Sequence, residues 1–238
     1  MRIACWSGPR NISTALMRSW SSRSGTYVTD EPLYAYYLSQ KKIKHPMYEE
    51  ILENYSCDYD RIIKYLLSNI PNNKKIWYQK HMAHHLIHFD DISWLKEFNN
   101  CILIRHPKEV ISSYTKKNSL TNIDDLGYTQ QIKIINFLKK NGLKYVVIDS
   151  KILLSNPEKI LMKWCDELNI KFEKSMLKWK KGPYETDGIW WKHWYNNVNQ
   201  STEFFQFERK INKVDKNFND IYDKSLKLYN KMFSECIK

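Results

Sequence analysis

Short, largely apolar runs take turns with stretches of helical spacing through most of this chain. Arg2-Ile3-Ala4-Cys5-Trp6 reads as a strand closed by the turn Ser7-Gly8-Pro9-Arg10-Asn11. From Ile12 to about Arg23, the placing of Ala15, Leu16, Ser19 and Trp20 predicts a helix. Thr26-Tyr27-Val28-Thr29 is a second strand, stopped by Asp30-Glu31-Pro32, and helices are expected around 47–55 and 58–69. Ile76-Trp77-Tyr78-Gln79 follows as a third strand and Cys101-Ile102-Leu103-Ile104 as a fourth, the latter apolar at every position as a doubly covered strand is. Pro107 opens a helix to about Lys116, and a helix from about Asp124 to Lys140 stops at Asn141-Gly142. Tyr145-Val146-Val147-Ile148 is a fifth strand, Pro157 opens another helix, and a last helix lies near 217–236 after an aromatic, weakly periodic stretch at about 172–207. Strands alternating with helices, and apolar on both faces, predict an α/β fold: a three-layer sandwich around a central parallel sheet. With no repeat or linker to divide it, the whole of 1–238 reads as one domain.

Composition narrows the classes. At 238 residues and 42% hydrophobic, the chain can bury a substantial core and is neither collagen-like, disordered nor a disulfide scaffold. No apolar run approaches the ~20 residues of a membrane helix, so no membrane partner is expected. The N-terminus has no signal-peptide body, which points to the cytoplasm. Six glycines form neither G-x-G-x-x-G nor a GK[ST] tripeptide, so the dinucleotide fingerprint and the Walker-type loop are both absent. The five cysteines contain no C-x-x-C pair, which fits reduced thiols better than a zinc ribbon. A net charge of +12 favours anionic partners. The lysines are spread out, however, and lack the basic–aromatic interleaving of a nucleic-acid track, so no nucleic-acid partner is expected.

In an open α/β sheet, ligands gather at the carboxyl ends of the strands, and the first strand-to-helix turn is the usual anion site. Here that turn comprises Gly8, Pro9, Arg10, Asn11, Ile12, Ser13 and Thr14. Its backbone N–H groups and two hydroxyls can face an anion, with Arg10 adding a charged fork. The alternative is an ordinary capped helix, with Ser13 or Thr14 bonded to backbone and Arg10 solvated.

Three segments in order resemble the sulfotransferases that use 3'-phosphoadenosine 5'-phosphosulfate. The first turn is similar to that family's 5'-phosphosulfate loop, with its basic residue at Arg10 and its paired hydroxyls at Ser13 and Thr14. The stretch Ile104-Arg105-His106-Pro107-Lys108-Glu109-Val110-Ile111-Ser112-Ser113-Tyr114 looks like its 3'-phosphate motif, which places Arg105 and Ser113 on that phosphate. Val147-Ile148-Asp149-Ser150, continuing to Pro157, follows the family's strand, acidic turn and Pro-started helix. The resemblance runs from residue 2 to about 170 and looks like a compact bacterial-type member. It departs at Ile12, where many members have Gly, and at Asn11, where Ser is common. Lys180-Lys181-Gly182 matches the family's C-terminal basic-Gly motif only loosely.

The resemblance implies a P-loop-like sulfotransferase fold, the phosphosulfate nucleotide as co-substrate, no metal, and a small-molecule hydroxyl or amine as acceptor. It also offers two kinds of base. Glu31 ends the second strand as the catalytic Glu of bacterial and heparan-type members does. His81, His84 and His85 follow Lys80 in the manner of the cytosolic branch, though position 82 is Met where that branch has His. Position favours Glu31, while an unshifted imidazole pKa favours His84 or His81. Lys80 and Arg10 are then candidates to neutralise the leaving phosphate. The pairs 81/85 and 84/88 would share a face if helical, which leaves a transition-metal site as an alternative. Trp179, Tyr184, Trp190, Trp191, Trp194, Tyr195, Phe204, Phe205 and Phe207 either line an acceptor pocket or belong to the core. A phosphate-loop kinase is the competing enzyme, and a basic nucleic-acid-binding protein the competing non-enzyme. Oligomeric state is not legible.

Overall fold

The computed structural model describes residues 1–205 and 214–238; Phe207, named above among the aromatics, lies outside them. Five strands, β1 (Arg2–Ser7), β2 (Thr26–Asp30), β3 (Ile76–Met82), β4 (Asn99–Ile104) and β5 (Tyr145–Asp149), form one parallel sheet in the order β2-β3-β1-β4-β5. The helices are α1 (Ser13–Ser21), α2 (Tyr34–Lys41), α3 (Tyr48–Asn54), α4 (Tyr59–Leu66), α5 (Pro107–Tyr114), α6 (Tyr128–Lys140), α7 (Ser150–Ser155), α8 (Pro157–Glu167), α9 (Trp191–Trp194), α10 (Asn196–Asn199) and α11 (Asn219–Phe233). The expected α/β sandwich is what forms.

Strand side chains alternate between two apolar layers, which is why the strands carry no polar face. Ile3, Cys5, Tyr78, Cys101, Leu103 and Ile148 pack with Leu16 and Trp20 of α1 and Trp164 of α8. On the other face Ala4, Trp6, Trp77, Ile102 and Ile104 meet residues of α4, α5, α6 and α11. A third cluster joins α2 and α3 to the aromatic segment through Tyr34, Leu38, Ile51, Trp190 and Tyr195. No helix among the described residues is long and apolar enough to cross a membrane.

Among the elements that differ from expectation, three adjoin the strand ends or the first loop. Helix α2 was not predicted because Tyr34 through Leu38 are all buried, so the segment shows no amphipathic contrast for a periodicity to detect. The helix expected from Asp124 divides into a short 3-10 turn at Ile123–Leu126 and α6. Gly127 between them takes φ +78, and a Cβ there would lie 3.3 Å from Gly8 Cα, so glycine suits both the left-handed turn and the close approach to the first loop. The short helix α7, held by Asp149 accepting from the backbone N–H groups of Lys151 and Ile152, was also missed.

The order β3-β1-β4 makes β1 the point at which successive strands diverge to opposite sides of the sheet. A crevice opens there at the carboxyl edge. Because all five strands are parallel, the residues following Ser7, Asp30, Met82, Ile104 and Asp149 share that edge.

Candidate active site

The turn after β1 makes no side-chain helix cap: the residue before α1 is Ile12, with φ −85 and ψ 23. The capped-helix alternative is therefore not how this segment folds. Asn11 instead steadies the loop, accepting from Ile12 N at 2.9 Å and donating through Nδ2 to Leu103 O at 3.0 Å. Arg10 sits in the left-handed region at φ 54, a cost a non-glycine residue bears only where surroundings demand it. Gly8 is required by space, since a Cβ would fall 2.4 Å from Leu126 O. Gly8→Ala should cost about 1–3 kcal/mol through backbone displacement, about 2–12 °C in Tm for a chain of this size. An unchanged thermal unfolding curve would count against so close a fit.

The two basic stretches meet. Arg10 Nε donates to Ser113 Oγ at 3.0 Å, and Arg105 Nη1 donates to the backbone oxygen of Arg10 at 2.8 Å. Ser113 reaches this point because α5 begins at Pro107, directly after the β4 end, and Ser113 lies almost two turns along it. Glu109, in the first turn of the helix, takes Arg105 Nε at 2.8 Å. Arg10 has no carboxylate partner among the described residues. Burial and then the charge of Arg105 lower its pKa, so two guanidinium groups are held near each other while Glu109 pairs with Arg105.

The second group forms where β2 and β3 end side by side, Asp30 pairing with Lys80 in the ladder. Lys80 Nζ donates to Asp30 Oδ1 at 2.8 Å, to Glu31 Oε1, and to Tyr195 Oη at 2.7 Å. Burial opposes the Lys80 charge, but Asp30 and Glu31 outweigh it and raise the ammonium pKa. Burial first, then the Asp30 charge, raise the Glu31 carboxyl, with Lys80 pulling the other way. Glu31 has φ 41, and its N–H donates to Lys80 O at 2.9 Å.

The histidines divide. His81 stacks on Trp6 with centroids 4.3 Å apart, and its Nε2 lies 3.2 Å from Gln79 Oε1. His84 meets Tyr37 edge-on, and His85 stacks on Tyr34 and Tyr37. Burial drives His81 and His84 down to about 3 and His85 well below the usual imidazole value. It is His85 whose Nδ1 comes to 4.0 Å from Glu31 Oε2. The helical spacing behind the metal alternative is not built, because β3 runs through His81 to Met82 and only the single 3-10 turn Ala83–His85 follows. Among the described residues, no three His, Cys, Asp or Glu side chains are grouped so as to hold a metal ion.

In the aromatic segment, Trp179, Trp190, Tyr195 and Phe204 are buried, Tyr184, Trp191 and Trp194 are half-buried, and Phe205 is exposed. Lys180 and Lys181 are exposed, and Gly182 N donates to Asn199 O at 2.9 Å. Of the residues gathered around Lys80, Asp30 was not a candidate from the sequence, His85 was named only as one of three histidines, and Tyr195 only among the aromatics of an acceptor pocket or core, with nothing to link it to these carboxylates. Asp30 had a signal in its place beside Glu31 at a strand end. Tyr195 had none, being 165 positions from Asp30.

The sulfotransferase-domain family model matches residues 1–236. Two relatives from Arabidopsis thaliana, named branched-chain-amino-acid aminotransferase-like proteins 1 and 2, are 34% and 32% identical over 228 residues, 96% of this chain. That match covers 41% and 40% of their sequences, so the chain spans about two fifths of the length of these curated relatives. Among solved structures, the sulfotransferase domain of the Synechococcus PCC 7002 olefin synthase is similar in fold, with TM-score 0.60 at 18% identity, covering 100% of this chain and 96% of that one. A sulfotransferase from Alicyclobacillus acidocaldarius gives 0.59 at 9% identity, covering 99% and 96%. The match to the family model over nearly the whole chain carries the assignment: this chain belongs to the sulfotransferase family.

Proposed function

We propose that the chain transfers a sulfuryl group from 3'-phosphoadenosine 5'-phosphosulfate to a hydroxyl or amine of a small-molecule acceptor. The observation that carries this is the pair Arg10 and Arg105, brought together from separate turns at the carboxyl edge, with Ser113 bonded to Arg10. Like charges at close range repel, and an anion with several oxygens relieves that repulsion through charge-assisted bonds of about 1.5–3 kcal/mol each. The donor set fits such a nucleotide: two guanidinium groups, the hydroxyls of Ser13, Thr14 and Ser113, and the backbone of a turn opening onto α1. In this reading Gly8 to Thr14 hold the 5' side, and Arg105 with Ser113 the 3'-phosphate. The bound nucleotide supplies the activated sulfuryl group. Glu31 takes the proton of the acceptor as its oxygen or nitrogen bonds to sulfur, the bond from sulfur to the 5'-phosphate oxygen breaks, and 3',5'-diphosphoadenosine leaves. Five unpaired cysteines support a reducing, cytoplasmic setting as part of the same reading.

Calorimetry with 3',5'-diphosphoadenosine against 5'-AMP, ATP and NAD tests the proposal. The bisphosphate should bind tightest. Arg105→Ala or Ser113→Ala should weaken it far more than 5'-AMP, because only the bisphosphate offers the second phosphate. Equal losses for both ligands, or a preference for ATP that rises with Mg²⁺, would instead favour the kinase reading.

A further inference from the structure

Lys80 has three N–H donors, and all three are taken by Asp30, Glu31 and Tyr195. Its side chain is 1% exposed, so the ammonium has neither a spare donor nor an open face. The Tyr195 hydroxyl is equally committed. It donates to Asp30, whose oxygens lie at 2.7 and 2.8 Å, and accepts from Lys80 and from Trp190 Nε1 at 3.2 Å. Asp30 Oδ2 also accepts from Gly188 N at 3.1 Å. Among the described residues, one carboxylate oxygen of this group remains without a donor in hydrogen-bond range. It is Glu31 Oε2, which faces His85 Nδ1 at 4.0 Å.

We propose that Asp30, Lys80 and Tyr195 are positioning residues that hold Glu31 by Oε1 and leave Oε2 as the proton-accepting atom, so that Lys80 acts on the base and not on the leaving phosphate. This rests on the sulfuryl-transfer reading with Glu31 as base. The division of labour follows from the count of donors and lone pairs. A lysine that neutralises a leaving oxygen needs one N–H directed at the ligand, and here none is free. The groups facing Glu31 come from four further elements: Lys80 from β3, His85 from the turn after it, Tyr34 from α2, and Tyr195 from between α9 and α10, with Asp30 preceding it on β2. His85, kept neutral by burial, does not compete with Lys80 for the carboxylate. Asp30 offsets part of the Lys80 charge, and that keeps Glu31 basic enough to accept a proton.

The test needs no acceptor. Protein labelled with ¹³C at the glutamate carboxyl is titrated by NMR, with Glu31→Gln identifying the Glu31 resonance. Asp30→Asn removes a negative neighbour and should lower the Glu31 midpoint by about one pH unit or more, while Lys80→Met removes a positive one and should raise it by a similar amount. Tyr195→Phe keeps both charges, and so spares folding if Lys80→Met does not; it should also raise the midpoint. Calorimetry with 3',5'-diphosphoadenosine should give unchanged affinity in all three variants. A Glu31 midpoint that ignores these changes overturns the proposal. So does a loss of about tenfold or more in nucleotide affinity in Lys80→Met, since that is the behaviour of a phosphate ligand. Failure of the wild-type protein to bind the nucleotide would strike the sulfotransferase reading itself, so the two failures are told apart.

Discussion

Glu31→Gln is expected to lower sulfuryl turnover by about 10²–10⁴-fold, the range lost with a general base, while binding of 3',5'-diphosphoadenosine stays unchanged. The amide keeps the shape of the side chain and can still accept from Lys80, but it has no basic oxygen for the acceptor's proton. Turnover is read as sulfated product formed from a metabolite mixture and followed by mass spectrometry. Retained turnover would shift the role of base to the histidines, of which His85 is the one placed beside Glu31. The pH dependence carries a sign. Only the ionised carboxylate is a base, and burial with Asp30 raises its pKa, so activity should rise with pH through a midpoint above the ordinary glutamate range. An acid limb below that range would mean the carboxylate is more stabilised than its surroundings imply.

Asp187→Ala should cost about 3–5 kcal/mol of folding stability, the usual price of stranding one buried charge. Asp187 accepts both arms of the Arg18 guanidinium at 2.5 Å, and the two side chains are 0% and 1% exposed. Without the carboxylate, Arg18 keeps Asn199 Oδ1 at 3.3 Å and the face of Tyr184 at 3.9 Å, neither of which balances its charge. Urea unfolding measures the loss. Asp220→Ala is the control: its partner Lys224 forms an exposed pair on α11, and water replaces such a contact with little change in midpoint. A loss in Asp187→Ala no larger than in the control would show that the fork contributes little. Because Arg18 lies on α1, the helix that opens at the first loop, this pair also ties segment 184–199 to that helix. Destabilising it should loosen Tyr195, and with it the hold on Glu31.

The limits of sequence reading show in particular residues. Glu31 could be named as a candidate because a carboxylate at a strand end before Pro32 resembles the place of the family's catalytic Glu. Arg10 and Arg105 were legible because each follows an apolar run in a turn of recognisable form. Their meeting was not, since the Arg10–Ser113 bond joins positions 103 apart and depends on β1 and β4 being neighbours. The histidines reverse the lesson. An unshifted imidazole looks suited to neutral-pH chemistry, yet burial takes His81 and His84 down to about 3, and burial is a property of packing.

The order of apolar runs and helical spacings along the chain was enough to establish an α/β fold with a parallel sheet, because strands buried on both faces read as near-continuous apolar runs. It was also enough to mark the turns that bear charge. Which charges face one another came from the folded arrangement alone. Lys80 is closed off by Asp30, Glu31 and Tyr195 because parallel register sets Asp30 beside it and the aromatic segment folds back over both. A hydrogen bond or a desolvated charge depends on distance and exclusion of water, and neither is written in the spacing of residues along a chain.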